Sequence, residues 1–192
     1  MNKQQEAPTS QQWEVELKRE QHKSEYHKTL RSTVYILLIV AAVAVLVATL
    51  WLPVLRVTGT SMEPTFEPGQ IVVALKDSPL KKGDLIAFYY NNEVLLKRVI
   101  GLPGDMILIQ KDGTVFVNHQ KLQEPYITSK SFGQCNIQFP YQVPENKYFV
   151  LGDHRATALD SRSSSIGCIP KNLVIGKVSM RVWPFHQFGI VR

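Results

Sequence analysis

Nineteen consecutive positions, Val34 to Leu52, are apolar with the single exception of Thr49. As a helix rising about 1.5 Å per residue, such a run nearly covers a hydrocarbon layer roughly 30 Å thick. Tyr35 and Trp51 stand near its ends, where amphipathic rings favour the membrane interface, and Pro53 supplies a stop. Residues 34–55 therefore read as a transmembrane helix. A cleavable signal peptide has a shorter apolar core, about 7 to 15 residues after a brief basic start. Here the polar residues 1–33 come first, which favours a permanent anchor. Lys23, Lys28 and Arg31 precede the run, whereas Arg56 and then Lys76 are the bases that follow it. That bias puts the N-terminus inside, with residues 1–33 as a cytoplasmic tail and residues 56–192 outside the cytoplasm. The tail has few apolar positions to bury and is expected to be helical in part at most, where Gln11 to Leu30 extends the following helix.

Beyond the anchor, the pattern changes to short β-branched and aromatic runs. Gln70–Leu75, Asp84–Tyr89, Val94–Gly101, Met106–Gln110, Thr114–Asn118, Lys147–Leu151 and Gly176–Trp183 read as strands separated by Gly, Pro, Asn or Asp. Lys111-Asp112-Gly113 is a hairpin turn signal. With no long amphipathic helix and no repeat, a single mostly β domain over residues 56–192 is the economical reading.

The net charge of +6 and pI near 9.3 raise the question of nucleic acid. Lys and Arg are scattered, with neither a basic run nor zinc-finger spacing, so a nucleic-acid partner is not expected. A basic domain near an anionic bilayer would instead gain some attraction to lipid. Cys135 and Cys168 lack C-x-x-C spacing, and His119, His154 and His186 are dispersed; no metal and no cofactor is expected. Whether the two cysteines pair depends on geometry.

Three segments carry chemistry. Gly59-Thr60-Ser61-Met62-Glu63-Pro64-Thr65 follows the anchor and offers Ser61 as a nucleophile, which needs a base within hydrogen-bond reach. In a strand over 94–100, Leu95, Lys97 and Val99 share one face and Leu96, Arg98 and Ile100 the other, so one base must point with apolar neighbours. If Lys97 is covered, desolvation lowers its pKa and makes it a usable base, whereas an arginine stays protonated. The competing reading is an edge strand with both bases in solvent. The third segment, Leu151 to Arg162, pairs Asp153 with Arg155 and Asp160 with Arg162 at spacings suited to ion pairs that fix a loop beside a site. His154 is an alternative base in a Ser-His-Asp arrangement.

Together these segments resemble the bacterial type I signal peptidases, membrane-anchored serine proteases that remove signal peptides from exported preproteins. The resemblance rests on Ser61-Met62-Glu63-Pro64-Thr65 after a membrane span, Gly83-Asp84-Leu85-Ile86, Lys97-Arg98-Val99-Ile100-Gly101, Gly152-Asp153-His154-Arg155 and Asp160-Ser161-Arg162. It implies a mostly β signal-peptidase-type domain behind one transmembrane helix. Ser61 is then the acylating nucleophile, whose own N–H contributes to the oxyanion hole, and Lys97 is the general base. Val57, Thr58, Met62 and Leu96 would lie at a groove taking an extended substrate with small side chains at −1 and −3, while Gly152, Asp153, Arg155, Asp160 and Arg162 would be supports. A monomer bound to lipid and acting on preproteins is expected.

Three positions depart from the family pattern. Ala158 stands where many members have a serine that orients the lysine, which leaves Lys97 to packing, water, or a neighbour such as Thr157 or Ser161. Gly59 replaces a side-chain oxyanion donor, a task then left to backbone N–H groups or to Thr58 or Thr60. His154 replaces the usual Asn. Two rival functions are a non-catalytic relative serving as an assembly or chaperone factor, and a cytosolic self-cleaving Ser-Lys repressor, whose DNA-binding module the apolar run replaces.

Overall fold

The computed structural model describes residues 10–191; the first nine positions of the expected tail lie outside them. The chain divides at residues 48/49 into two compact units.

Helix α1 runs Ser10–Trp51, so the polar stretch from Ser10 onward is helical throughout rather than in part. Glu, Lys, Gln and Arg are good helix formers, and neither Gly nor Pro interrupts positions 10 to 51. Within it, His27–Val47 is long and apolar enough to cross a membrane, with mean hydropathy 2.4. Its apolar side chains, from Val34 to Val47, are exposed on every side, as a helix facing lipid requires. The helix stops at Trp51, four residues before the expected Leu55. Pro53 disfavours helical backbone at the residue before it, and Val54–Arg56 pair as a strand instead.

The second unit is built from two antiparallel sheets. In chain order the strands are β1 (Val54–Arg56), β2 (Ile71–Leu75), β3 (Leu85–Tyr90), β4 (Glu93–Gly101), β5 (Met106–Ile109) and β6 (Val115–Val117). There follow β7 (Gln120–Lys121), β8 (Tyr141–Gln142), β9 (Lys147–Leu151), β10 (Ile169–Pro170), β11 (Val174–Trp183) and β12 (Gly189–Ile190). The larger sheet has the order β1-β2-β11-β3-β4-β9-β10, with β12 also on β11; the smaller is β7-β6-β5-β8. Each of the seven expected strands is present, with ends moved by two residues or fewer. The five others are two or three residues long, too short to show alternation.

Strand β4 is not an edge: β3 pairs with it from Glu93 to Arg98, and β9 from Arg98 to Gly101. Its alternation divides the core. Leu95 and Val99 pack with Ile86, Phe88, Val150 and Ile169, whereas Leu96 packs against Val57, Met62 and Phe66. A third cluster, around Ile100, Ile107, Val117 and Phe149, joins the small sheet to the large one. The hairpin between β5 and β6 turns where expected, with Gly113 at φ +84°. A Cβ there would come within 2.4 Å of Ser131 N, so space as well as backbone angle demands glycine.

Phe149→Ala removes a fully buried ring at that junction and is expected to cost about 3 to 5 kcal/mol in urea unfolding.

Candidate active site

Ser61 lies on the turn that follows Val57. The neighbouring Met62 and Phe66 are buried, and Phe66 N–H donates to Met62 O at 2.9 Å, so apolar packing beside the serine holds the turn. The β9–β10 connection backs it: His154 N–H donates to Ser61 O at 3.1 Å. A Cβ on Gly152 would meet Ser61 O at 2.7 Å and Ala158 Cβ at 2.3 Å, so this approach is open to glycine alone.

From β4, Lys97 reaches the same turn, and its Nζ lies 2.6 Å from Ser61 Oγ. The lysine is 3% exposed. Burial lowers its pKa to about 8; the charges of Asp160 and Asp153 oppose the shift, and that of Arg162 assists it. Among the described residues Nζ has no other hydrogen-bond partner. Neither proposed substitute for the missing orienting serine serves. Thr157 Oγ1 is engaged with His154 Nδ1 at 2.7 Å, and Ser161 Oγ donates to Gly167 O at 2.7 Å while accepting from Val150 N–H at 2.9 Å. Lys97 is itself buried, so packing confines it. The His154 ring, turned to Thr157, does not bond Ser61.

One expected ion pair forms and the other does not. Asp160 takes Arg162 Nε and Nη2 on its two oxygens, each at 2.8 Å, and also accepts Gly152 N–H at 3.0 Å. Asp153 pairs with Arg98 instead of Arg155, through Nε at 2.9 Å and Nη2 at 2.7 Å. The register explains this: Arg98 stands opposite Leu151, and Asp153, two residues on, falls within diagonal reach. Arg155 turns to Glu124 at 2.5 Å. Burial opposes its charge, yet the Glu124 carboxylate outweighs that and holds its pKa above the ordinary value. The Asp153–Arg98 pair reaches the serine turn through Thr65, whose Oγ1 donates to Asp153 Oδ2 at 2.5 Å.

Sequence reasoning missed Glu124, Tyr126 and Arg181. The Tyr126 ring stacks on the Arg98 guanidinium at 3.8 Å, and Arg181 donates to Thr65 O at 2.7 Å. Glu124 and Tyr126 lie in an irregular segment with no motif to flag them, and Arg181 sits within a strand recognised only for its apolar pattern.

A groove of about 360 Å³ opens beside Ser61. Val57, Thr58 and Met62, from the segment after β1, line it together with Leu96 of β4, which brings together the four residues expected at a binding groove. Among the described strands, β1 is the outer edge of its sheet. The Glu93–Lys97 stretch of β4, paired to β3 alone, leaves its other edge open. Ser61 N–H has no acceptor among the described residues, and Thr58 Oγ1 no partner.

A family model described as signal peptidase, peptidase S26, matches residues 30–183. The chain belongs to the signal peptidase family. It is 38% identical over 152 residues to signal peptidase IB of Staphylococcus aureus strain COL, covering 69% of this chain and 78% of that protein. It is likewise 38% identical over 149 residues to signal peptidase I of Bacillus caldolyticus, covering 69% and 80%. A crystal structure of a signal peptidase I from Enterococcus faecalis V583 aligns at 30% identity over 52% of this chain and 97% of that one, with TM-score 0.45. Membership makes the chain a peptidase, and the apolar helix α1 suits a membrane-anchored one.

Two outcomes follow from the buried amine. Acylation of Ser61 by a reactive ester is expected to rise with pH and reach half its maximum near pH 8, as Lys97 loses its proton. Below about pH 8 the lysine is charged in folded and unfolded chains alike, and folding bears the full cost of burying that charge. Between about 8 and 10.5 the unfolded chain still holds the proton that the folded one has released, so stability rises with pH across that window. Lys97→Met therefore raises stability at pH 7, by on the order of 2 kcal/mol in denaturant titration.

Proposed function

We propose that the chain is a serine endopeptidase that removes N-terminal signal peptides from exported preproteins at the outer face of the cytoplasmic membrane. The observation that carries this reading is the 2.6 Å approach of a buried lysine amine to a serine hydroxyl at the end of an open groove. Neutral Lys97 takes the proton of Ser61 as Oγ attacks the scissile carbonyl. The bond from that carbonyl to the mature protein's nitrogen breaks, the proton passes from Lys97 to the leaving amine, and an ester to Ser61 remains. Lys97 then takes a proton from water, whose oxygen attacks the ester; the ester bond to Oγ breaks, that proton passes from Lys97 to Ser61 Oγ, and the signal peptide is released. The free Ser61 N–H, with Thr58 as a second donor, supplies stabilisation for the oxyanion in place of the side chain that Gly59 lacks. Asp153, Arg155, Asp160, Arg162 and Gly152 act as supports of the turn and of the loop behind it.

The substrate enters as an added strand, for which the free edges of β1 and β4 offer main-chain partners. Buried Val57 and Met62, with Leu96, leave room for small side chains at −1 and −3. The domain plan is a cytoplasmic tail, one membrane-spanning helix that ends at Trp51, and an extracytoplasmic catalytic domain from about residue 53. An apolar patch supports contact with lipid: Trp183 and Phe185 are in edge contact, and both are exposed, as are Phe188 and Ile190. The anchor confines enzyme and membrane-held substrate to one surface and raises their effective concentration. A monomer suffices for this chemistry, since one copy carries both members of the pair.

Cleavage of a preprotein bearing Ala at −1 and −3 tests the reading, with full-length enzyme in detergent micelles. Ser61→Ala and Lys97→Ala are each expected to lower kcat by about 10³-fold or more. Equal cleavage by all three proteins would remove the pair from the mechanism.

A further inference from the structure

The groove beside Ser61 ends on two charges of opposite sign. Arg56 closes β1 and Glu93 opens β4; both are exposed and line the groove that Ser61 lines. They are, among the described residues, the only charged ones in that lining. Among the described residues neither forms an ion pair or a side-chain hydrogen bond. One stands on β1 and the other on β4, two strands that are not paired with each other, so each is left to act on a chain lying in the groove.

Their distance from the reactive pair sets which part of that chain they meet. Glu93 precedes Lys97 by four residues on one strand, a span of about 13 Å at the rise of β-structure. Arg56 precedes Ser61 by five, at the end of β1. With the scissile carbonyl at Ser61 and the acyl side of the substrate extended along the groove, the far end is reached by the side chains at −4 and −5. We infer that Glu93 and Arg56 are specificity-determining residues that read substrate charge at −4 and −5, Glu93 favouring a basic side chain and Arg56 an acidic one. This rests on the endopeptidase reading above. The rest of the lining, apolar side chains with Thr58 and Ser61 among them, offers no charge to compete. The two preferences oppose each other in the wild type, so removing one uncovers the other.

Three preprotein substrates, alike but for Lys, Ala or Glu at both −4 and −5, test this with the full-length enzyme in micelles. The quantity read is the ratio of kcat/KM for the Lys substrate to that for the Glu substrate. Glu93→Gln is expected to lower it about threefold and Arg56→Gln to raise it about threefold, the scale of exposed charge pairs. Both effects shrink toward unity in about 1 M salt, where the screening length falls to roughly 3 Å. A ratio that both variants leave unchanged, or move in the same direction, overturns the inference. The Ala substrate separates the two levels. Its Ser61-dependent cleavage by wild type establishes the underlying activity, so an unchanged ratio then counts against the charge reading alone. An Ala substrate that wild type leaves uncut removes both.

Discussion

The site depends on making an amine easy to deprotonate in a place that also holds carboxylates. Burial is the main cause that depresses the Lys97 pKa, with the Arg162 charge assisting, yet Asp160 and Asp153 are near enough to pull it back. Each carboxylate is matched by an arginine fork, Arg98 on Asp153 and Arg162 on Asp160. Each fork sets a guanidinium charge directly against its carboxylate. Buried ion pairs of this kind add little net stability over apolar packing, but losing one partner leaves a buried charge uncompensated. They earn their place by holding position. Asp160 accepts Gly152 N–H and Asp153 accepts the Thr65 hydroxyl, which ties the loop after β9 to the serine turn.

The same arginines organise the irregular chain between β7 and β8. Arg162 donates to Phe132 O at 2.8 Å, Arg155 holds Glu124, and Tyr126 covers Arg98. Tyr126 is itself desolvated and lies beside the Glu124 carboxylate, so its phenol pKa is raised and the ring stays neutral over the guanidinium. A long stretch without sheet or helix is thus fastened at three points to residues that also frame the site. The smaller sheet meets the larger through the Ile100, Ile107 and Phe149 cluster, and both attachments converge on β4 and β9.

Much of this was legible in the sequence because it depends on local period and on reach. Strand alternation put Lys97 with Leu95 and Val99, and the apolar run announced the helix. What escaped was set by pairing between distant segments. The pattern of Val94–Ile100 is compatible with an edge or a centre, and β9, some fifty residues on, decides it by covering Arg98 to Gly101. Close spacing made Arg155 look like the partner of Asp153, whereas the register of β4 on β9 gives that carboxylate to Arg98. Arg98 is therefore as buried as Lys97, though on alternation alone only one base had to be. Glu124 and Tyr126 carry no local signal, since their meaning lies in the arginines they meet.

In the proposed reaction, anchor, groove and turn all converge on a neutral amine 2.6 Å from a hydroxyl. The most direct measurement is a carbon-13 NMR titration of Lys97, labelled at Cε, in the full-length protein in micelles, with Lys97→Met identifying the resonance. The midpoint is expected near pH 8, well below the ordinary lysine value of 10.5. A midpoint at the ordinary lysine value of 10.5 would contradict the proposed reaction, because the free-amine fraction able to take the serine proton near neutral pH would then be smaller by roughly 300-fold.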